Sequence, residues 1–152
     1  MTKKEYLRQG FRLKREIEHD KKILEELKSN LDGLRALRNS EKVQGGPVKD
    51  DSGIVNGIDK VIELENRIKN KLYKLNDFQG RLLSELEKIE NIDEKILMES
   101  KYILNLSWDQ IADKIHYSLS HTYRIHGRAL ENFKFYKNDS EWEYQCVILY
   151  KI

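Results

Sequence analysis

Apolar residues recur in steps of four and three along the first part of the chain. One stripe runs through Tyr6, Gly10, Leu13, Ile17, Asp20, Leu24, Leu27, Leu31, Leu34 and Arg38, and six of these ten are aliphatic. A period of about 3.5 residues held over this length marks a coiled-coil seam. Gly10 and Asp20 interrupt the stripe, either where a partner approaches closely or where the seam drifts. Thr2 and Glu5 stand in a T-x-x-E pattern, a capping box that starts the helix at once.

The segment Ser40–Gly53, "SEKVQGGPVKDDSG", carries three glycines and the chain's only proline. It reads as an exposed loop. A second stripe with the same rhythm follows: Ile54, Ile58, Val61, Glu65, Ile68, Leu72, Leu75, Gln79, Leu82, Leu86 and Ile89. The two segments fold back as an antiparallel hairpin or join those of another copy, and the pattern does not choose. A two-helix hairpin alone buries little core, so a homodimer is expected. Stripes of this kind serve packing, and no cofactor role is assigned to them.

The last third changes to shorter periods. Asn91 and Glu94 form a second capping box ahead of a helix from about Ile92 to Leu104. Ser107 and Gln110 form a third, opening a helix to about Ile115. After the short turn "HYS", Ser118 caps a helix running to about Tyr136. This spacing matches helix-turn-helix geometry. Ala112 is the small residue the crossing needs, and Ile111, Ile115, Tyr117 and Ile125 point into the angle, with Thr122 where an aliphatic residue is commoner. Trp108 is expected to anchor the first helix in the core.

Such a motif reads DNA with the first turns of its second helix. Ser118, Ser120, His121 and Arg124 make that region polar. The Arg124 guanidinium suits a guanine edge or a phosphate. His121 and the serines can donate to bases or phosphates, and the Tyr123 hydroxyl can reach the backbone. Arg128 and Lys134 lie farther along and suit phosphate. The competing reading is a helical angle used for protein contact, because short matches of this type arise by chance.

The stretch "WDQIADKIHYSLSHTYRIHGRAL", residues 108–130, resembles the helix-turn-helix of sigma-factor region 4. It resembles more closely a family of small phage and mobile-element proteins with an N-terminal coiled coil and a sigma-like C-terminal motif, related to the ArpU/RinA type of phage transcriptional regulators. "MTKKEYLRQGFRL" and "VIELENRIKNKLYKLNDFQ" are similar to that family's opening and second long helix, so the likeness extends to about Phe135. By position, the resemblance implies that Leu119, Ser120, Tyr123 and Arg124 face the major groove. Leu119 and Ser120 lack the charges often found there, which implies a target unlike an ordinary promoter element. His116 stands where glycine is frequent, and a left-handed backbone there would strain it. No promoter-melting region of a full sigma factor is visible.

Charge is unevenly spread. The chain has 152 residues, 36% of them charged, a mean hydropathy of −0.74 and a net charge of +2. Residues 1–40 hold eleven Lys/Arg against seven Asp/Glu, and residues 101–137 six against three, while the segments 41–100 and 138–152 are net acidic. The basic excess at the motif permits nucleic-acid binding without demonstrating it. Cys146 is the single cysteine, which excludes an intramolecular disulfide and fits the reducing cytoplasm of a bacterial host. No apolar run reaches membrane-spanning length, and the N-terminus has no apolar signal core.

Enzymatic and metal chemistry find little support. His116, His121 and His126 are five residues apart, about 140° per step on a helix, so they do not converge on one ion. "QGGP" lacks the strand and helix of a phosphate loop, and no nucleophile or paired-carboxylate constellation is visible. The chain is therefore read as a non-enzyme without cofactor or metal. The tail "EWEYQCVILYKI" alternates aromatic and polar residues, which suits a short strand buried against the body or a partner.

The expectation is an all-α protein: a helical hairpin over 1–90 with its loop at 40–53, a helix-turn-helix module over 91–137, and a tail over 138–152. Its expected role is a sequence-specific, double-stranded-DNA-binding regulator of phage or mobile-element transcription, with no membrane attachment. Two alternatives stand beside it. One is a factor binding host RNA polymerase or another protein through the hairpin; the other is a DNA-packaging adaptor like a terminase small subunit.

Overall fold

The computed structural model describes residues 2–43 and 52–135. These residues are all-helical, with no strand among them. In chain order the helices are α1 (Lys3–Val43), α2 (Ser52–Leu86), α3 (Ile92–Tyr102), α4 (Trp108–Ile115) and α5 (Leu119–Asn132). They form two compact units. One is Lys4–Leu82; the other joins Lys3 to the described chain from Leu83 onward.

In the first unit the stripes of α1 and α2 face each other. Ile17, Leu64, Ile68 and Leu75 form its buried cluster, with Leu13, Ile23, Leu24 and Leu27 packed on it. Partner numbers fall on α2 as they rise on α1. Tyr6 meets Phe78 edge-on at 5.4 Å, Glu16 pairs with Lys71, Asp20 with Arg67 and Lys28 with Glu65. At the far end, a Cβ on Gly57 would come within 3.1 Å of Leu31 Cδ1. The two helices of this unit are thus antiparallel.

Asp20, an interruption in the sequence stripe, is buried in this seam. Its carboxylate accepts from Arg67 Nη2 at 2.8 Å, Arg67 Nε at 3.2 Å and Lys71 Nζ at 2.8 Å. Lys71 also pairs with Glu16 at 3.0 Å. The hydrogen bond from Lys71 holds the Asp20 carboxyl below the usual range, helped by Arg67 and against the cost of burial. The same bond raises the Lys71 ammonium.

In the second unit α3, α4 and α5 pack mutually. Their inward faces bury Leu97, Met98 and Tyr102 from α3, Ile111, Ala112 and Ile115 from α4, and Thr122, Ile125 and Ala129 from α5. Each of these helices starts at the capping residue its sequence marks. Asn91 Oδ1 accepts from Glu94 N, but the Glu94 carboxylate is taken by Asn132 and Arg128, so only half of the expected capping box forms. Ser107 and Gln110 exchange both bonds of a capping box. Ser118 Oγ accepts from His121 N. Caps of this kind contribute about 1 kcal/mol each.

Several boundaries differ from the sequence expectation. α1 continues through Ser40 to Val43, and α2 begins at Ser52, so part of the expected loop is helical. No glycine or proline interrupts Ser40–Val43. α3 ends at Tyr102 instead of Leu104, and Asn105 follows with φ 60°. α5 ends at Asn132 instead of Tyr136, because Phe133 turns extended and is fully buried. Lys134 therefore lies beyond the helix. Tyr117, expected inside the α4–α5 angle, is exposed, whereas Thr122 is wholly buried. The expected tail strand and Cys146 lie outside the described residues.

Candidate nucleic-acid interface

α5 divides into two faces. Thr122, Ile125 and Ala129 are turned into the core, and Phe133 follows them just past the helix end. Ser120, Arg124, Gly127, Arg128 and Glu131 are exposed, and their spacing places them on the opposite face. Leu119 and Tyr123 flank that face on one side, one turn apart, with 39% and 47% of their surfaces exposed.

The turn ahead of α5 sets its direction. His116 adopts φ 58°, ψ 39°, the left-handed conformation. Its N–H and that of Tyr117 return to the last carbonyls of α4, the Tyr117 bond closing on Ala112 at 3.1 Å. This is the closure that glycine usually serves, here carried by histidine. Tyr117 then bridges outward: its hydroxyl donates to Asp93 Oδ2 at 3.0 Å, and its ring lies 4.7 Å from that of His121. The bond to Asp93 raises the Tyr117 hydroxyl above its ordinary pKa. The first turn of α5 is thereby tied to the start of α3.

The DNA-contact candidates differ in how committed they are. Ser118 acts as the N-cap and Ser120 is exposed. His121 is half-buried against Tyr117. The Tyr123 ring rests 4.9 Å from Trp108. Arg128 Nε stands 4.0 Å from Glu94 Oε1, and Asn132 Nδ2 donates to the other Glu94 oxygen at 2.8 Å. Arg124 is exposed and makes no ion pair or hydrogen bond among the described residues. Lys134 is exposed on the segment after α5.

His126, for which the sequence suggests no role, accepts or donates a 2.9 Å hydrogen bond with the buried Tyr102 hydroxyl and meets Trp108 edge-on at 4.9 Å. Trp108 is half-buried instead of fully buried, and Lys101 Nζ stands 4.4 Å from its ring centre. Burial pushes the Lys101 ammonium down. Lys3 Nζ donates to the Leu130 and Glu131 carbonyls, placing a cation at the C-terminal end of α5. Among the described residues, no three His, Cys, Asp or Glu side chains converge as a metal site would require.

The chain belongs to the DUF1492 family. Its description is a protein of unknown function, and the match covers residues 36–134. The matched region ends just past α5 and includes all three helices of the second unit. No curated protein and no solved structure matches the chain. No helix among the described residues is long and apolar enough to cross a membrane.

Proposed function

We propose that this DUF1492 chain is a sequence-specific double-stranded-DNA-binding regulator of phage or mobile-element transcription. In this reading α4, the His116–Ser118 turn and α5 form a helix-turn-helix, and α5 enters the major groove. The relation to sigma region 4 and to ArpU/RinA-type regulators belongs to the same proposal. The observation that carries it is the division of α5: Thr122, Ile125 and Ala129 are buried, while Arg124 projects outward without a partner among the described residues. An uncommitted fork near the start of a recognition helix suits bidentate contact with a guanine edge. Arg128, held toward Glu94, and Lys134, past the helix, suit phosphate contacts.

Selection of bound duplexes from a random pool at fixed salt tests the reading. An enriched motif is expected, and its symmetry reports whether a homodimer binds. A pool with no enrichment contradicts it.

A second reading is favoured by a separate observation. On the first unit Leu34, Leu37, Val55, Ile62 and Tyr73 are large apolar side chains left about half exposed or more. Val55, Ile62 and Tyr73 recur along one side of α2, away from its buried Leu64, Ile68 and Leu75. Such a stripe suits a protein partner, of which host RNA polymerase is one example. Retention of a partner that is lost on mutating Ile62 and Tyr73, with no DNA enrichment, favours this reading over the first. A ring-sized assembly in solution favours the packaging adaptor.

A further inference from the structure

We infer that Leu119 is a specificity-determining residue that recognises the C5-methyl group of thymine, with Tyr123 forming the wall beside it. The inference rests on the DNA-binding reading and goes further by naming the base that α5 selects through apolar contact.

Leu119 is the first residue of α5, and Tyr123 lies one turn on, so their side chains are neighbours on the helix surface. Both remain substantially exposed, at 39% and 47%. A single exposed leucine is ordinary. These two are adjacent, and they sit on the turns that a recognition helix presents to base edges. The helix's other aliphatic residues are buried or half-buried.

Their surroundings give the patch a defined shape. The Tyr123 ring is braced 4.9 Å from Trp108, which is itself held under Lys101. A side chain braced in this way loses little further freedom when it is covered. Ser120 and Arg124 lie along the neighbouring row, exposed and polar. A narrow apolar strip beside a free guanidinium matches the major-groove edge of thymine next to guanine, where a methyl lies beside the O6 and N7 acceptors.

The test uses the duplex selected by the full chain and replaces each thymine in turn by uracil, which removes only the methyl. At one or two positions the affinity is expected to fall about fourfold, the change that transfer of one methyl-sized group gives. Leu119→Ala is expected to weaken the thymine duplex by a similar factor and to abolish its difference from the uracil duplex. Tyr123→Phe, which keeps the ring, is expected to retain that difference. If uracil is tolerated at every position, or if Leu119→Ala leaves the thymine preference intact, the inference is overturned while DNA binding stands. If the wild-type chain enriches no duplex, the DNA reading fails and the inference fails with it.

Discussion

Lys71 Nζ stands 2.8 Å from Oδ2 of Asp20, across the seam between α1 and α2, and only 5% of the Asp20 side chain is exposed. A carboxylate in that position is stable only because two cations from the facing helix reach it. It also fixes which turn of α2 lies opposite which turn of α1, since a shift by one turn leaves the charge buried without its partners.

Removing one partner should therefore cost more than the exposure of the cations suggests. Lys71→Met leaves Arg67 as the remaining hydrogen-bonding cation on a buried carboxylate. It is expected to lower stability by about 2 kcal/mol, the scale of one hydrogen bond to a charged group, because Arg67 still compensates the carboxylate. Asp20→Asn removes the charge but keeps the shape, and should cost less, because Arg67 is half exposed and can turn to water. Urea unfolding of both variants checks the order; equal stability of Lys71→Met and wild type contradicts it.

The same pair predicts a pH dependence. The folded state holds the Asp20 carboxyl below its ordinary value. Its contribution is then fully present above the unfolded value of about 3.9 and is lost as pH falls through the lower folded value. The wild-type chain should lose stability below about pH 4 more steeply than Asp20→Asn does. Parallel acid-unfolding curves for the two would remove Asp20 from the account.

Gly127 separates stability from binding. It lies mid-helix on the exposed face of α5, and a Cβ there would meet nothing within 4 Å. Gly127→Ala should stabilise the chain by about 1 kcal/mol through helix propensity alone, read as a higher urea midpoint at unchanged slope. On the DNA reading the same methyl stands between α5 and the groove, so affinity should fall. A variant that is both more stable and equally tight in binding argues that α5 does not enter a groove.

Ser100 offers a check on the second unit's core. Its hydroxyl is buried without a hydrogen-bond partner among the described residues. Ser100→Ala is expected to be neutral or to stabilise by up to about 1 kcal/mol, since a buried unsatisfied group is disfavoured. A loss of more than that in thermal or urea unfolding indicates that the hydroxyl has a partner.

Local signals in the sequence recovered much of this architecture. The capping serines and Asn91, and the start and end of α4, follow from residues a few positions apart, and the structure has them at the expected places. What escaped depends on distant partners. Asp20 looks like a flaw in its stripe until Arg67 and Lys71 are opposite it. Tyr117 looks apolar until Asp93 takes its hydroxyl. α5 stops four residues early because Phe133 is drawn into the core, which no helix propensity records. His126 gains its role from Tyr102, twenty-four residues away. Among the outward residues of α5, position along the helix already separates Arg124 from Arg128 in the sequence, but the hold of Glu94 on Arg128 is not legible there.

The central claim is that α5 reads base pairs through Arg124. The most direct measurement is the affinity of wild type, Arg124→Ala and Lys134→Ala for the selected duplex and each of its single-base-pair variants, at one fixed salt concentration. Arg124→Ala should lose about 1–3 kcal/mol and cease to discriminate at one position, whereas Lys134→Ala should weaken all duplexes alike. If Arg124→Ala binds every duplex as the wild type does, α5 is not the reading helix and the account is wrong.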